Sequence, residues 1–386
     1  MVSRRIPPQL EPNALTRALA AIRASGGALI DLTDSNPTRT GIPYPDDLLA
    51  PLADAAALRY EPYAFGLPAA RAAVAADHAR RGVSVDPAHV VLTASTSEAY
   101  SWLFKLLCDP GDSVLVPRPS YPLFEHLTAL EGVHAQPYAL EYHGRWSVDV
   151  ASLMAAPART RAVLAVSPNN PTGSYVSAEE RAALMQVCRD RRWALVVDEV
   201  FADYPLDAQE PLTDIAARSD VLTFSLAGLS KSVGLPQLKL AWIVAGGPAA
   251  ARDEALAALE LVADSYLSVA TPVQAAAAQL LSAGAAVRAA IQQRIQQNLD
   301  ALRAAARGFP ACEVLRTEGG WSAVVRVPAT RPEERLVLDL LERERILVHP
   351  GYFFDFPREA YLVVSLLPPP ALFADACARL LRVVSG

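Results

Sequence analysis

Ser225-Leu226-Ala227-Gly228-Leu229-Ser230-Lys231-Ser232-Val233-Gly234-Leu235 is a short polar turn between two apolar runs, Val221 to Phe224 and Leu240 to Val244. It puts Lys231 where one strand ends and the chain turns toward the next. A lysine in such a place forms a Schiff base when its surroundings lower its pKa. Taken alone, a lysine in a polar turn is most often a solvated surface residue.

The rest of the chain changes that balance. Pro168-Asn169-Asn170-Pro171-Thr172-Gly173 follows the apolar run Ala162 to Val166, and Asp198-Glu199-Val200-Phe201 closes the run Ala194 to Val197. An asparagine, an aspartate and a lysine, each just past a strand end, form a set suited to pyridoxal phosphate. The lysine makes the imine, the carboxylate keeps the pyridine nitrogen protonated, and the amide bonds the ring hydroxyl.

Composition narrows the alternatives. With 386 residues, 52% hydrophobic and 20% charged, the chain is long enough for two lobes with cores of their own. A net charge of −6 and the absence of a basic block argue against a general polyanion binder, so no nucleic-acid partner is expected. Polar residues interrupt every apolar stretch before it reaches membrane-spanning length, and Met1 to Pro8 lead into no apolar segment resembling a secretion signal. Cys108, Cys188, Cys312 and Cys377 lack metal-ligand spacing and read as reduced thiols of a cytoplasmic protein. The six histidines are scattered, and no metal site is expected.

Organisation follows from periodicity. Val90 to Leu92, Val114 to Val116, Ala162 to Val166, Ala194 to Val197, Val221 to Phe224 and Leu240 to Val244 read as strands buried on both faces, alternating with amphipathic stretches. Ala99, Trp102, Leu103, Leu106 and Leu107 mark one helix face, and Tyr121 to Leu130 the next helix. From Pro272 to Arg307 the chain reads as long helices broken near Ser282-Ala283-Gly284. The strands Trp321 to Val327 and Tyr361 to Leu366 follow, separated by a helix from Glu333 to Arg345. The pattern predicts an α/β lobe over residues 46–285. A smaller α+β lobe combines residues 1–45 with 286–386.

On these residues the chain resembles the fold type I pyridoxal-phosphate enzymes, aminotransferase class I/II. The resemblance runs from about Asp31 to the last helix. It rests on Pro168 to Gly173, on Asp198-Glu199-Val200, and on Ser230-Lys231-Ser232-Val233-Gly234-Leu235-Pro236, in the family's order. It implies a mostly parallel seven-stranded sheet flanked by helices, a second smaller domain, and pyridoxal 5′-phosphate as cofactor. Lys231 is then the Schiff-base lysine and the base that moves the substrate's α-proton. Asp198 pairs with the pyridinium nitrogen and Asn170 donates to the cofactor's O3′. Ser95-Thr96-Ser97 opens a helix, where the family binds phosphate at Thr96 and Ser97. The same residues also read as a plain N-cap, a role Ser97 with Glu98 would fill. Tyr121 corresponds to the aromatic stacked on the ring, and Ser230 is retained. Tyr60, with Tyr63 as the competing candidate, corresponds to the tyrosine that reaches the neighbouring subunit's phosphate, which implies a homodimer with shared sites.

Four positions depart from the commonest pattern. Phe201 replaces a tyrosine that bonds O3′, and Gly228 replaces a serine or threonine on the phosphate. Lys239 replaces an arginine, which keeps the charge and loses the two-pronged geometry. In Tyr361-Leu362-Val363-Val364-Ser365, Val363 occupies the place of the arginine that binds the substrate's α-carboxylate. Either the substrate has no carboxylate beside its amine, or another cation serves. Arg39, beside Asp34-Ser35-Asn36-Pro37-Thr38 in the segment that folds over the substrate in the family, is the candidate, although it also reads as an exposed loop residue. The expected function is an aminotransferase acting on small molecules. A lyase or decarboxylase on the same scaffold is the alternative, and a non-catalytic regulator is a more distant one.

Overall fold

The computed structural model describes residues 3–6, 11–207 and 213–385. Strand β1 (Ile30–Asp31) precedes β2 (Val90–Thr93), β3 (Ser113–Arg118), β4 (His134–Tyr142), β5 (Trp146–Val148), β6 (Thr160–Val166), β7 (Ala194–Asp198), β8 (Thr223–Gly228) and β9 (Ala241–Gly246). After the helical stretch come β10 (Glu313–Val314), β11 (Ser322–Arg326), β12 (Ile346–Leu347), β13 (His349–Pro350) and β14 (Tyr361–Ser365).

Strands β2 to β9 form one eight-stranded sheet in the order β2-β9-β8-β7-β6-β3-β4-β5. The neighbours from β8 to β4 run parallel, whereas β9 is antiparallel to both β2 and β8. Every residue of β7 and β9 is buried, as near-continuous apolar runs require when helices cover both faces of a sheet. The sheet has eight strands where seven are expected. The extra one, β5, folds back antiparallel onto the end of β4 and is only three residues long, too short to show an alternating pattern. Strands β10, β11, β14 and β13 build a second, antiparallel sheet, and β1 pairs in parallel with β12.

Local chemistry sets the helix boundaries. Asn13 and Asp149 cap their helices through side-chain oxygens, and Ser177 with Glu180 closes a reciprocal capping box at the start of Ala178–Arg191. The predicted break near Gly284 lies between the helices Ala277–Ala283 and Ala285–Ala306. The helix expected from Tyr121 begins later, at Phe124, so Tyr121 lies in the loop after β3.

Hydrogen bonds tie the β1–β12 pair to the second sheet. The Leu32 amide donates to the Leu347 carbonyl, and the Ser365 amide donates to the Leu32 carbonyl at 2.6 Å. The Ser365 hydroxyl then donates to the Asp34 carbonyl at 2.7 Å. The segment after β1 is thereby strung across the end of β14, facing the turn that carries Lys231.

Candidate active site

A cavity of about 290 Å³ opens where β3, β6, β7 and β8 end. Clefts beyond the carboxyl ends of parallel strands are the usual ligand sites of open α/β sheets. Asp198, Asn170, Ser230 and Lys231 line it, as do Thr96, Ser97, Tyr121 and Phe201. Ser35 and Val363 close it from the other side, with Trp321, His349, Phe353 and Phe354.

Asp198 is the last residue of β7 and is buried. The Tyr100 hydroxyl donates to its Oδ2 at 3.0 Å, and the Val200 amide donates to Oδ1 at 3.1 Å. Burial raises the Asp198 carboxyl to about 6, against the opposing pull of these two donors and of Lys231. A buried carboxylate with lone pairs to spare and a partner that fixes its orientation suits a protonated ring nitrogen.

Lys231 lies in the one-turn helix Leu229–Ser232 after β8. Burial lowers its amine to about 8, with Asp198 pulling the other way. Its Nζ sits 4.8 Å from the centroid of the Trp321 ring and 5.4 Å from that of Phe201, an aromatic corner that disfavours full solvation. The Tyr204 hydroxyl donates to the Lys231 carbonyl at 2.6 Å, and Arg288 Nε donates to the Ser232 carbonyl at 2.9 Å. The lysine's backbone is thus held while its side chain faces the cavity.

The two asparagines divide their labour. Asn169 is buried and accepts from the Ser120 hydroxyl at 2.6 Å. It also donates to the Pro119 carbonyl and to Thr172 Oγ1, locking the two loops together. Asn170 turns to the cavity, and among the described residues its amide has no protein partner. At the helix Thr96–Leu107, Ser95 is the N-cap and its hydroxyl accepts the Glu98 amide at 3.1 Å, so the cap falls on Ser95 and not on Ser97. Ser95 does not line the cavity; Thr96 and Ser97, in the first turn, do. Their position suits a phosphate, since the first amides of a helix lack intrahelical partners. The residues therefore fit pyridoxal phosphate at each of its three polar ends.

Other expected residues stand apart from this cavity. Lys239 is exposed, in a left-handed conformation, and is not part of the wall. Tyr60 is 71% exposed and Tyr63 48% exposed, both on a separate surface groove. Asn36 and Arg39 line an adjoining opening of about 410 Å³ that shares Ser35 and Lys231 with the cavity. Arg39 is largely exposed, with its Nε 3.8 Å from Asp34. At Gly228, a Cβ would stand 2.8 Å from the Ala241 Cβ across the β8–β9 pair, so the expected hydroxyl side chain has no room there. The four cysteines are free, and no metal-binding cluster occurs among the described residues. Tyr100, Trp321 and His349 belong to the site although sequence reasoning passed them over. Each comes from a stretch that reads as ordinary core or strand end.

The sequence profile described as "Aminotransferase class I and II" matches residues 51–380. The chain belongs to this family and is a pyridoxal-phosphate-dependent aminotransferase, an enzyme that moves an amino group from an amine or amino-acid donor to a carbonyl acceptor. It is 28% identical over 379 residues to the alanine aminotransferase of Mycobacterium tuberculosis, covering 94% of this chain and 86% of that one. It is 24% identical over 379 residues to the glutamate-pyruvate aminotransferase of Escherichia coli, covering 95% and 92%. Among solved structures, an Escherichia coli aminotransferase superposes with a TM-score of 0.87 at 23% identity, covering 100% and 98% of the two chains. Described helices long and apolar enough to cross a membrane are absent.

Proposed function

We propose that this aminotransferase works through Lys231 as Schiff-base lysine and proton carrier, and that it takes amino donors with an apolar body that need no arginine clamp. The observation that carries the first part is the meeting of buried Asp198, half-buried Lys231 and the free Asn170 amide in one cavity. When bound, pyridoxal phosphate supplies the electron sink for the substrate's α-carbon. The protein's residues supply the rest. Asp198, steered by Tyr100, would hold a positive charge on the ring nitrogen. Asn170 would donate to the ring hydroxyl. Thr96, Ser97 and Ser230 would hold the phosphate, Tyr121 would cover the ring, and Phe201 would pack without donating. The lowered pKa of Lys231 leaves part of the amine neutral near neutral pH, the form needed to act as a nucleophile and to take up a proton.

The second part rests on the apolar lining of the cavity. Trp321, Phe353, Phe354, Leu127 and Val363 contribute to it, and Val363 carries no charge where the family's arginine stands. An α-carboxylate buried there without a cation would cost several kcal/mol in principle. Relatives named for alanine and for glutamate with pyruvate act on amino acids by those names; this chain's wall favours a bulkier, less acidic donor. Arg39 lines the adjoining opening, its charge neutralised in part by Asp34.

We also infer a homodimer in which Tyr60, or Tyr63, reaches the partner's phosphate. Support comes from the exposed apolar side chains Leu58, Tyr60 and Tyr63, which lie at and just after the end of the short helix Ala55–Leu58. The same reading divides the chain into a lobe of residues 46–285 and a lobe of 1–45 with 286–386, supported by strands β2 to β9 forming one sheet and β10, β11, β13 and β14 another. A cytoplasmic setting agrees with four unpaired cysteines.

Borohydride reduction of the purified, cofactor-loaded protein followed by peptide mapping tests the core of this reading. The pyridoxyl group is expected on Lys231, and Lys231→Ala is expected to abolish transfer while leaving circular dichroism unchanged. A label on another lysine would refute the assignment.

A further inference from the structure

The strand that lacks the expected arginine has a neighbour. In the antiparallel pair β13–β14, His349 stands directly opposite Val363. Both line the cavity that contains Lys231. Residues directly opposite in an antiparallel pair point their side chains to the same face of the sheet. The imidazole is held by the Phe354 ring, edge-on at 5.5 Å, and by the Phe353 ring at 5.8 Å. Among the described residues neither ring nitrogen has a hydrogen-bond partner, although the side chain is partly buried. A half-buried imidazole with both nitrogens unspent, on the wall of a mostly apolar cavity, is an unfilled polar anchor.

We propose that His349 is the specificity-determining residue of this site: it takes the place of the missing arginine and reads the group beside the substrate's amine by a neutral hydrogen bond. This rests on the aminotransferase reading above. A neutral imidazole offers one donor and one acceptor. It therefore matches a hydroxyl, an amide or another uncharged polar group on an aromatic or aliphatic donor. A carboxylate accepts from that single donor as well, but its charge is compensated only when the ring is protonated.

The surroundings decide when that happens. Burial lowers the pKa of His349 from the usual imidazole range, and Asp31 on β1 pulls it up. The Asp31 carboxylate already accepts from the Thr33 amide and hydroxyl and lies 3.9 Å from Arg23. Glu333, from the helix packed behind β13, accepts from the Tyr352 and Tyr361 amides. Tyr352 follows β13 in sequence, Tyr361 begins β14, and Tyr121 and Lys231 share the cavity. The imidazole is thus neutral at neutral pH and becomes a cation only on acidification. Carboxylate-bearing ligands are expected to gain on their uncharged counterparts as pH falls.

Calorimetric binding of two unreactive probes to the holoenzyme tests this: 3-phenylpropionate and 3-phenylpropanamide, from pH 5.5 to 8.5. In the wild type the affinity ratio of acid to amide should rise as pH falls, by about tenfold per pH unit at most. Other groups in the site also titrate, so the decisive comparison is with His349→Gln, which keeps a hydrogen-bonding side chain and cannot ionise. That variant should flatten the profile and keep the amide's affinity within a few-fold. His349→Arg should make acid binding tight and pH-independent, and should raise the reaction rate with phenylalanine relative to phenethylamine. Equal profiles for wild type and His349→Gln would overturn the proposal, as would tight acid binding in the wild type that does not change with pH. If the variants fail to fold, the wild-type profile alone still decides the second of these outcomes. Failure of Lys231 to carry the pyridoxyl label would instead overturn the preceding reading, so the two are separable.

Discussion

At the scale of single residues, the site depends on hydrogen bonds the chain makes and on one it omits. Tyr100 makes the bond that orients Asp198, and both groups are buried. Tyr100→Phe would leave Oδ2 short of a donor, at about 1–3 kcal/mol. Cofactor titration of the apoprotein is therefore expected to show roughly tenfold or weaker affinity; an unchanged affinity would contradict the role. Phe201 is the omitted bond. Its ring lies 5.3 Å from Trp321 on the cavity wall. Phe201→Tyr would add a donor that stabilises the deprotonated form of the cofactor's ring oxygen. We expect the pH midpoint of the long-wavelength absorbance to fall by about half to one unit, the equivalent of one modest hydrogen bond. A rise would count against it. Tyr204 does not supply this bond, because its hydroxyl is committed to the Lys231 carbonyl. The sequence showed Phe201, whose place is defined by its neighbour Asp198. It did not show Tyr100, which reaches Asp198 across 98 residues of chain.

At the scale of elements, turn chemistry does the positioning. Gly173 closes the Asn-Pro-Thr-Gly turn at φ +71°, and a Cβ there would lie 2.6 Å from Thr317 Cγ2 and 2.7 Å from the Gly319 carbonyl. Its own carbonyl accepts the amides of Glu318 and Gly319, at 3.1 and 2.9 Å. Gly173→Ala would combine a strained backbone with a clash against a neighbouring backbone, and is expected to destabilise the protein by about 2 kcal/mol or more in urea unfolding. The turn was legible because asparagine, proline and glycine punctuate chains locally. Its docking surface was not, since Thr317 to Gly319 carry no local signal of that contact. Strand β5 went unseen for a different reason, since its three residues are too few to show a pattern.

At the scale of the whole molecule, a buried ionic network lies behind the lysine. Asp214 bonds His78 and Arg81, Arg81 also pairs with Asp203, and Arg288 lies 3.6 Å from Asp203. Glu199, next to Asp198 in sequence, is buried against this network and accepts weakly from the Ile215 amide at 3.4 Å. Burial, reinforced by Asp214, raises its carboxyl from 4.5 to about 7. Between those two pH values the folded protein keeps a proton that the unfolded chain has lost, so stability falls as pH rises through the window. Glu199→Gln should remove that dependence. Relative to the wild type it should gain on the order of 2–3 kcal/mol on going from pH 5 to pH 8. Chemical denaturation at the two pH values measures this, and parallel curves for both proteins would refute it. The dimer belongs to this scale as well. Light scattering is expected to give twice the 41.3 kDa chain mass. Tyr60→Phe, with Tyr63→Phe as its comparison, should weaken cofactor affinity; if neither variant does, the shared-site inference fails.

Sequence by itself determined the cofactor class, the alternation of strands and helices, and the lysine, aspartate and asparagine at strand ends. Each of these is written in local spacing: apolar runs of strand length, turn residues after them, and a polar residue displayed at the junction. Sequence also determined what is missing, because Val363 can be read as uncharged without any coordinates. Only tertiary structure decided what stands in its place. His349 meets Val363 through antiparallel register, Trp321 meets Lys231 through the approach of one sheet to the other, and Tyr100 meets Asp198 through a helix packed on the sheet. Pairings of this kind are set by burial of apolar surface between distant segments. That driving force has no preferred direction, so it leaves no mark in the spacing of the residues it brings together.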